Sequence, residues 1–514
     1  MTESKQTETQ KQQPKVSRGN GYLLDKPLAG ILLADIISYY LSSFAFIFFT
    51  LIFVALLMLR FAWGKFHLEH KLKRFKWFKK LHFLWTFKKL RDQSKSLNQT
   101  QVLLAKHLLG IPIEDDENEV KSFNDVMNSM GDDWPFMMKV KDTRSALVTV
   151  KGKKVDCISS YSYIDLARDE RVQDAAIEAA KGYSAGNHGP RMLCGNLEIL
   201  EQLEQRIANF YRREAALVFS SGYLACMSAL AGFARKGDLL LMDRLTHASL
   251  KAGAKLSSAK VVYFNHNDFK HAEKQIRSHK YTKLVMVIEG VYSMDGDVGL
   301  IDQARVLCDK YHGTLILDEA HSLGTIGKTG HGTEEMFDYK HKADIICGTF
   351  TKSISSVGGF ITCKKDVRDY YTFNAPGLVF SAPLSAYHCG AAVKAFEIIE
   401  NEPERIAKLQ SNAEYLRNKF KEFNFNIGHS YTCVIPVIFR DTVQCLKMHG
   451  VLLDKGFFTA TVMAPACPVT APRFRITACS NMTIDEMDRI VKAFCEAREA
   501  IPENPELREL LEGL

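Results

Sequence analysis

A single lysine stands among hydroxyl residues in the segment GTFTKSIS, directly after the apolar run ADIIC. The hydroxyl residues around Lys352 are Thr349, Thr351, Ser353 and Ser355. A lysine at the end of a buried strand can lose its proton and attack a carbonyl group, while nearby hydroxyls can bind an anion. The alternative is an incidental lysine in a solvated loop. Other parts of the sequence must decide between these two interpretations.

Three further apolar runs end in residues of matching chemistry. LLLMD is followed by RLTHASL, which contains His247, and TLIL is followed by Asp318 and then by His321 in DEAHS. AALVF is followed by SSGYLAC, whose small residues let backbone N–H groups approach an anion at a helix N-terminus. Ligands collect at the carboxyl edge of a parallel sheet, so we expect these groups to lie close together.

Each of these features has an ordinary structural explanation. A strand-end aspartate usually caps a turn, a lone histidine is usually structural, and a small-residue turn is weak evidence for phosphate binding. Together they are the parts that hold a pyridinium ring with a phosphate tail. Lysine forms a Schiff base, a carboxylate keeps the ring nitrogen protonated, an imidazole stacks on the ring, and the turn binds the phosphate.

Short apolar runs alternate with helical stretches from about residue 156. The predicted strands are AALVFS, LLLMD, KVVYF, KLVMVIEG, TLILDEA and ADIICG. The stretch LEILEQLEQRIANFY places Leu200, Leu203, Ile207 and Phe210 on one helical face. The alternation predicts an α/β protein with a large, mostly parallel sheet and helices on both faces. A helix, short strands and a final helix beyond about residue 400 predict a small C-terminal α+β domain.

Several longer motifs closely resemble the α-oxoamine synthases, pyridoxal-phosphate enzymes with the aspartate aminotransferase-like fold (fold type I). The motifs are LDEAHSLGTIGKTGHG, GTFTKSISSVGGF, DRLTHASLKAGAKLS and EGVYSMDGD, and the resemblance covers about residues 155–500. GTFTKS and SSYSYIDLA look most like the catalytic subunit of serine palmitoyltransferases. GNHGPRMLCGNLEILEQLE resembles the family's Gly-x-x-Gly-x-Arg segment, in a Gly-Pro-Arg form more like the non-catalytic partner subunit. That partner lacks the Schiff-base lysine, so Lys352 favours a catalytic chain.

The resemblance implies a role for each cofactor residue. Lys352, His247 and Asp318 would be catalytic: Lys352 bonded to pyridoxal 5'-phosphate, Asp318 paired with its ring nitrogen and His247 stacked on its ring. The implied cofactor-binding residues are Ser221, Gly222, Tyr223, His247, Asp318, His321, Thr349, Thr351, Lys352 and Ser381. Within this set, Ser381 would reach the phosphate across a dimer interface. The implied assembly is a homodimer or a heterodimer with a related subunit.

The substrate residues implied by the resemblance are Arg475, which would bind the amino-acid carboxylate, and Tyr163. Met482 stands where the family usually has histidine in Ala-x-His-Thr. The implied reaction is a decarboxylative condensation of L-serine with palmitoyl-CoA, giving 3-ketodihydrosphinganine, CoA and CO₂, the first step of sphingolipid biosynthesis. Alternatives are a relative that uses glycine or alanine, and a membrane-anchored non-catalytic partner subunit.

Residues 36–59 carry no charged side chain over 24 positions, a stretch of about 36 Å as a helix and enough to cross a bilayer. The basic, tryptophan-containing segment that follows should remain in the cytosol and lie along lipid headgroups. We therefore expect a single-pass membrane protein of the endoplasmic reticulum with a cytosolic catalytic domain. A long-chain acyl donor and a lipid product would make the bilayer a natural partner.

Composition narrows the function further. The chain has 514 residues and a net charge of +8, but residues 60–91 hold eleven Lys/Arg and one acid, so the remainder carries a net charge of −2. This distribution argues against a nucleic-acid partner. The twelve cysteines are scattered without zinc spacing, so no metal site is predicted and reduced thiols are expected.

The predicted domains run along the chain in six parts. They are a disordered polar tail (1–30), a transmembrane anchor (31–62), a basic juxtamembrane helical region (63–105), a lead-in (106–155), a pyridoxal-phosphate-binding large domain (156–398) and a small C-terminal domain (399–514).

Overall fold

The computed structural model describes residues 135–141, 147–463, 466–468 and 470–503. The predicted polar tail, membrane anchor and basic juxtamembrane region lie outside these residues. Within the described part of the chain, no helix is both long enough and apolar enough to cross a bilayer.

Seven strands form one mixed sheet in the order β4–β10–β9–β8–β7–β5–β6. Their bounds are β4 Ala215–Phe219, β5 Leu239–Asp243, β6 Lys260–Phe264, β7 Leu284–Glu289, β8 Thr314–Asp318, β9 Ile345–Thr349 and β10 Gly359–Cys363. Every pair is parallel except those of β10, which runs antiparallel to both β4 and β9. Six of the strands are those predicted from the apolar runs, whereas β10 was not predicted.

Helices cover both faces of this sheet because its strands are apolar on both faces. Along β5, Leu239 and Leu241 belong to one hydrophobic core and Leu240 and Met242 to the other. The helices from the first to the tenth are α1 Glu170–Gly182, α2 Glu198–Phe210, α3 Gly222–Ala231, α4 Ala248–Leu256, α5 Phe269–Arg277, α6 Ile301–Lys310, α7 Thr333–Met336, α8 Lys365–Asn374, α9 Pro376–Val379 and α10 Ala386–Asn401. Buried residues of α5 and α6 lie in the first core, and those of α3 and α4 lie in the second.

The C-terminal part contains two smaller sheets. Strands β11 (Val434–Ile438), β14 (Arg473–Thr477) and β13 (Ala460–Val462) form an antiparallel sheet in that order. A second sheet has the order β1–β2–β3–β12, with β1 Val140–Lys141, β2 Leu147–Val150, β3 Lys153–Cys157 and β12 Phe457–Phe458. The remaining helices are α11 Glu404–Glu422, α12 Thr442–Asp454 and α13 Ile484–Ala500. Because β12 pairs with β3, strands that precede the large sheet in sequence join the C-terminal part.

Candidate active site

Neighbouring parallel strands bring the predicted strand-end residues to one edge of the large sheet. The register places Asp318 at the end of β8 opposite Glu289 on β7 and Cys347 on β9. Strand β9 then ends at Thr349, three residues before Lys352. The expectation that these groups meet at the carboxyl edge of the sheet therefore agrees with the observed strand order.

Lys352 is half-buried and lines a cavity of about 460 Å³ together with Tyr161, Thr351 and Ser355. Desolvation by the surrounding protein lowers the pKa of Lys352 to about 8, with Asp318 opposing the shift and Arg475 adding to it. An amine with this pKa loses its proton far more readily near neutral pH than an ordinary lysine, which is what attack on a carbonyl group requires.

Asp318 is buried, with 3% of its surface exposed. Its Oδ1 accepts a hydrogen bond from the backbone N–H of Ala320 at 2.9 Å, and its Oδ2 accepts one from the thiol of Cys226 at 3.4 Å. A fixed, buried carboxylate at a strand end is suited to pairing with a protonated ring nitrogen.

Asp318 and the two thiols beside it form the one group of three potential metal ligands in the described part of the chain. The ligand atoms of Cys226, Asp318 and Cys347 lie within 4.8 Å of one another. A hydrogen bond with Cys226 and burial hold the pKa of the Cys347 thiol well above its ordinary value. Because the Cys226 thiol donates to the Asp318 carboxylate, we interpret this group as support for that carboxylate.

His247 lies at the N-terminus of α4, where its ring orientation is fixed. Its Nδ1 accepts from the backbone N–H of Ser249 at 3.2 Å and is 2.7 Å from the Ser249 hydroxyl. The backbone N–H of His247 donates to Glu289 Oε1. Burial and the nearby Asp318 raise the pKa of Glu289 well above its ordinary value. His247 itself is exposed, so a ring face is accessible to a ligand.

The predicted phosphate turn lies at the start of α3, directly against β9. Ser221 caps this helix by accepting from the backbone N–H of Leu224. A Cβ at Gly222 would lie 2.4 Å from Thr349, so only glycine allows this close approach. Thr349 Oγ1 is in turn 2.9 Å from Thr351 Oγ1. Free N–H groups at the helix start and two hydroxyls thus lie together, which is an anion-binding arrangement.

Two other predicted phosphate residues lie beside this turn. Tyr223, the second residue of α3, has 49% of its surface exposed. The Oγ atom of Ser381 is 3.4 Å from Oγ of Ser220 in the same chain. The predicted action of Ser381 across a dimer interface stays a prediction.

The predicted substrate residues form a buried cluster. The Arg475 Nη2 donates to the hydroxyl of Tyr163 at 2.9 Å, and Nε donates to the carbonyl oxygen of Ser293 at 2.8 Å. The same Tyr163 hydroxyl is 2.8 Å from Nδ1 of His321. Burial and the nearby Lys352 charge keep the pKa of His321 well below its ordinary value, so its ring is neutral. Arg475 is consequently held by two hydrogen bonds near the lysine.

Tyr161 is a site residue that the sequence analysis missed. Its ring centroid lies 4.5 Å from Cζ of Arg475 and 5.9 Å from Nζ of Lys352. The ring also contacts His321 edge-on, with 6.0 Å between the ring centroids. No pattern in the sequence distinguishes Tyr161 from Tyr163, because both lie in SSYSYIDLA. Glu289 was also missed, although it ends strand β7 at the same sheet edge.

Met482, at the family's histidine position, does not line the cavity that Lys352 lines. Its side chain is half-buried, packs against the first hydrophobic core and lines a separate cavity of about 290 Å³ with Phe457 and Phe458. Its backbone oxygen accepts from Nδ2 of Asn412 at 3.0 Å. The methionine therefore serves the packing of the C-terminal part in this structure.

The residues present fit the predicted cofactor. A half-buried amine of lowered pKa, a buried carboxylate, an exposed imidazole and an anion-binding turn all follow strands at one edge of the large sheet. At Gly222, helix α3 lies so close to strand β9 that any side chain there would push the turn away from Thr349.

Comparison with known proteins gives concordant results. The family model for aminotransferase class I and II matches residues 158–494. An 8-amino-7-oxononanoate synthase of Lysinibacillus sphaericus is 36% identical over 345 residues, which is 67% of this chain and 89% of that protein. A serine palmitoyltransferase of Bacteriovorax stolpii is 34% identical over 365 residues, or 71% of this chain and 87% of that protein.

Solved structures show the same similarity. A serine palmitoyltransferase with pyridoxal phosphate has a TM-score of 0.72 and 27% identity, covering 75% of this chain and 98% of that one. The serine palmitoyltransferase of Sphingomonas wittichii has a TM-score of 0.73 and 25% identity, covering 76% and 99%.

Proposed function

Because this chain belongs to the aminotransferase class I and II family and, within it, to the α-oxoamine synthases, we propose that it is a serine palmitoyltransferase. The predictions of the family, of fold type I and of pyridoxal 5'-phosphate as cofactor are confirmed. The proposed reaction condenses L-serine with palmitoyl-CoA and releases CO₂ and CoA to give 3-ketodihydrosphinganine.

The observation that carries the proposal is the placement of Arg475 beside Lys352, with the ring of Tyr161 in contact range of both. An amine that reacts with carbonyl groups and a guanidinium that pairs with carboxylates are the two groups that an amino-acid substrate requires. The choice of serine rests on similarity, because the serine palmitoyltransferase structures have TM-scores of 0.72 and 0.73.

When bound, pyridoxal phosphate supplies the electron sink that stabilises negative charge at the substrate Cα. Lys352 would hold the cofactor and would also be the group that accepts the proton from the substrate Cα, for which its lowered pKa is suited. Asp318 would pair with the ring nitrogen and keep it protonated, and His247 would lie against the ring. The turn at Gly222 would bind the phosphate. Arg475 orients the carboxylate until it leaves as CO₂.

A synthase that uses glycine or alanine is a second candidate, favoured by the 36% identity to an oxononanoate synthase. To separate the two, the purified protein is assayed with serine, glycine and alanine, each with palmitoyl-CoA and with acetyl-CoA. Serine with palmitoyl-CoA should give the highest kcat/KM, and CO₂ and CoA should form in equal amounts. A preference for glycine or alanine would refute the substrate assignment while leaving the family assignment intact.

The non-catalytic partner subunit is disfavoured by the intact Lys352, Asp318 and His247. We propose that the chain acts as a dimer, either with itself or with a related subunit. Turnover by the chain expressed alone would support the homodimer. Turnover only after co-expression with a relative would support the heterodimer.

We further propose that residues 31–62 anchor the enzyme in the endoplasmic reticulum membrane with the catalytic part in the cytosol. The support is the uncharged stretch and the basic segment that follows it. The full chain should resist extraction by carbonate, and its catalytic part should be digested by protease added to sealed microsomes. Deletion of residues 1–62 should make the remaining chain extractable by carbonate. Protection from protease would reverse the proposed orientation.

A further inference from the structure

We propose that His266 is a positioning residue for Arg475. A protonated imidazole between two carboxylates fixes the turn at residues 292–297, and a carbonyl oxygen of this turn holds the guanidinium. The inference rests on the proposed function only in that Arg475 binds the carboxylate of an amino acid, whichever amino acid that is.

The imidazole of His266 faces a carboxylate at each ring nitrogen. Its Nδ1 is 3.0 and 3.1 Å from the two oxygens of Asp243, and its Nε2 is 2.6 Å from Oδ2 of Asp297. Because carboxylates only accept, both ring nitrogens must donate, which requires the charged form. Burial alone would lower the pKa of His266, but hydrogen bonds to the two carboxylates raise it to about 10.

One carboxylate of this pair belongs to the large sheet and the other to the turn. Asp243 is the last residue of β5 and is fully buried. Asp297 closes the turn, because its carbonyl oxygen accepts from the backbone N–H of Tyr292 at 3.0 Å. The Tyr292 ring packs edge-on against His266 with 4.4 Å between ring centroids. The imidazolium therefore attaches the turn to the end of β5.

The same turn holds two arginines of β14 through its backbone oxygens. The Ser293 oxygen accepts from Nε of Arg475 at 2.8 Å. The Met294 oxygen accepts from Nη1 of Arg473, also at 2.8 Å. These contacts direct the Arg475 side chain towards Tyr163 and Lys352, so the position of the turn determines where the guanidinium lies.

On its other side the turn packs closely against β11. Gly296 has a φ of +67°, and a Cβ there would lie 1.9 Å from the carbonyl oxygen of Val434. The Gly296 oxygen accepts backbone hydrogen bonds from Tyr431 and Thr432. The turn is thus attached to the C-terminal part by Gly296 and to the large sheet by His266 and the neighbouring Asn267, whose Nδ2 donates to the Val298 oxygen at 3.1 Å. Loss of the His266 contacts should loosen the turn and let Ser293, and with it Arg475, move.

The test measures binding of amino acids to the holoenzyme through the change in cofactor absorbance. For His266→Gln, which cannot bridge two carboxylates, the Kd for serine, glycine and alanine should rise about tenfold, on the order of one weakened hydrogen bond to a charged group. The Kd for ethanolamine, which has no carboxylate, should not change. His341→Gln, a half-buried histidine elsewhere on the large domain, serves as matched control and should bind like the wild type.

A double-mutant cycle with Arg475→Ala gives a second readout. In the Arg475→Ala background, His266→Gln should no longer alter amino-acid affinity, because the group that it positions is gone. The milder variant Asp297→Asn retains the His266–Asp243 contact and tests the same attachment should His266→Gln fail to fold.

Wild-type amino-acid affinity in both His266→Gln and Asp297→Asn would overturn the inference. So would an equal loss for serine and ethanolamine, since that pattern indicates general damage. Turnover with glycine but not with serine would refute the proposed substrate. It would not affect the inference about His266, because the predicted changes in Kd apply to every amino acid.

Discussion

The two sides of the site are built in different ways. The lysine side, Asp318 and Lys352, comes from the ends of adjacent parallel strands, and each residue lies within one continuous motif. The arginine side, Tyr161, Tyr163 and Arg475, is assembled from segments 312 residues apart that meet through side-chain hydrogen bonds. Strand order alone places the first set, whereas the second depends on tertiary contacts. We therefore expect changes on the lysine side to abolish chemistry and changes on the arginine side to weaken substrate binding.

Lys352→Ala should have the largest effect. Turnover should fall by at least roughly three orders of magnitude for every amino acid, because the covalent and proton-accepting group is lost. Borohydride reduction followed by peptide mapping should find the pyridoxyl group on Lys352 in the wild type and nowhere in the variant. Lys340→Ala, at an exposed lysine, is the control and should retain activity. A pyridoxyl group at another lysine would contradict the assignment of the lysine side.

Arg475→Lys and Tyr163→Phe should test the arginine side. Arg475→Lys loses the planar geometry that pairs with a carboxylate, so the KM for the amino acid should rise about 10- to 100-fold while the KM for acyl-CoA stays within about twofold. Tyr163→Phe removes one of the two hydrogen bonds that hold the guanidinium and should raise the KM for the amino acid about fivefold. Equal changes in both KM values would show that the arginine side does not act on the amino acid alone.

Most of the lysine side could be predicted from sequence because its reactive residues come directly after apolar runs that form strands. The strand β10 could not, since the SSVGGF that leads into it resembles a turn. The structure explains the second glycine: a Cβ at Gly359 would lie 2.5 Å from Cα of Gly222. The two glycines allow α3 to approach β9 and β10, so a residue type that usually weakens a strand is required here.

The arginine side was predicted only through family resemblance, and incompletely. Periodicity cannot show that Tyr161 would contact Arg475, because the contact joins β14 to the segment after β3. The pairing of β3 with β12 was equally invisible, since two short strands far apart in sequence carry no shared local signal. Long-range side-chain contacts of this kind are decided by the packed fold.

Two variants of Tyr161 should show whether its aromatic ring or its hydroxyl group supports Arg475. Tyr161→Phe keeps an aromatic face over the guanidinium and should change the KM for the amino acid by less than about twofold. Tyr161→Leu removes the cation–π contact and should raise this KM about two- to fivefold. The measurement is steady-state kinetics at saturating acyl-CoA. A larger loss in Tyr161→Phe than in Tyr161→Leu would assign the role to the hydroxyl group instead.

The last expected effect concerns the attachment of the arginine side to the large sheet, and it appears in stability rather than in catalysis. The pKa of His266 is raised from its ordinary value near 6.5 to about 10, by hydrogen bonds to Asp243 and Asp297 that outweigh the effect of burial. The folded state therefore holds a proton that the unfolded state releases between these values. The contribution to the free energy of unfolding is complete below about pH 6.5 and declines as the pH rises to about 10, by at most about 1.4 kcal/mol per pH unit.

Urea unfolding of the wild type, His266→Gln and the control His341→Gln at about pH 6.5, 8 and 9.5 measures this contribution. The difference in the free energy of unfolding between wild type and His266→Gln should narrow steadily with rising pH, because glutamine does not titrate. Groups that titrate elsewhere cancel in this difference, and the edge-on ring of Tyr292 is common to both proteins. A difference independent of pH would mean that His266 is neutral in the folded protein. Its two carboxylates would then hold the turn without an imidazolium, and the arginine side would not depend on charge at this position.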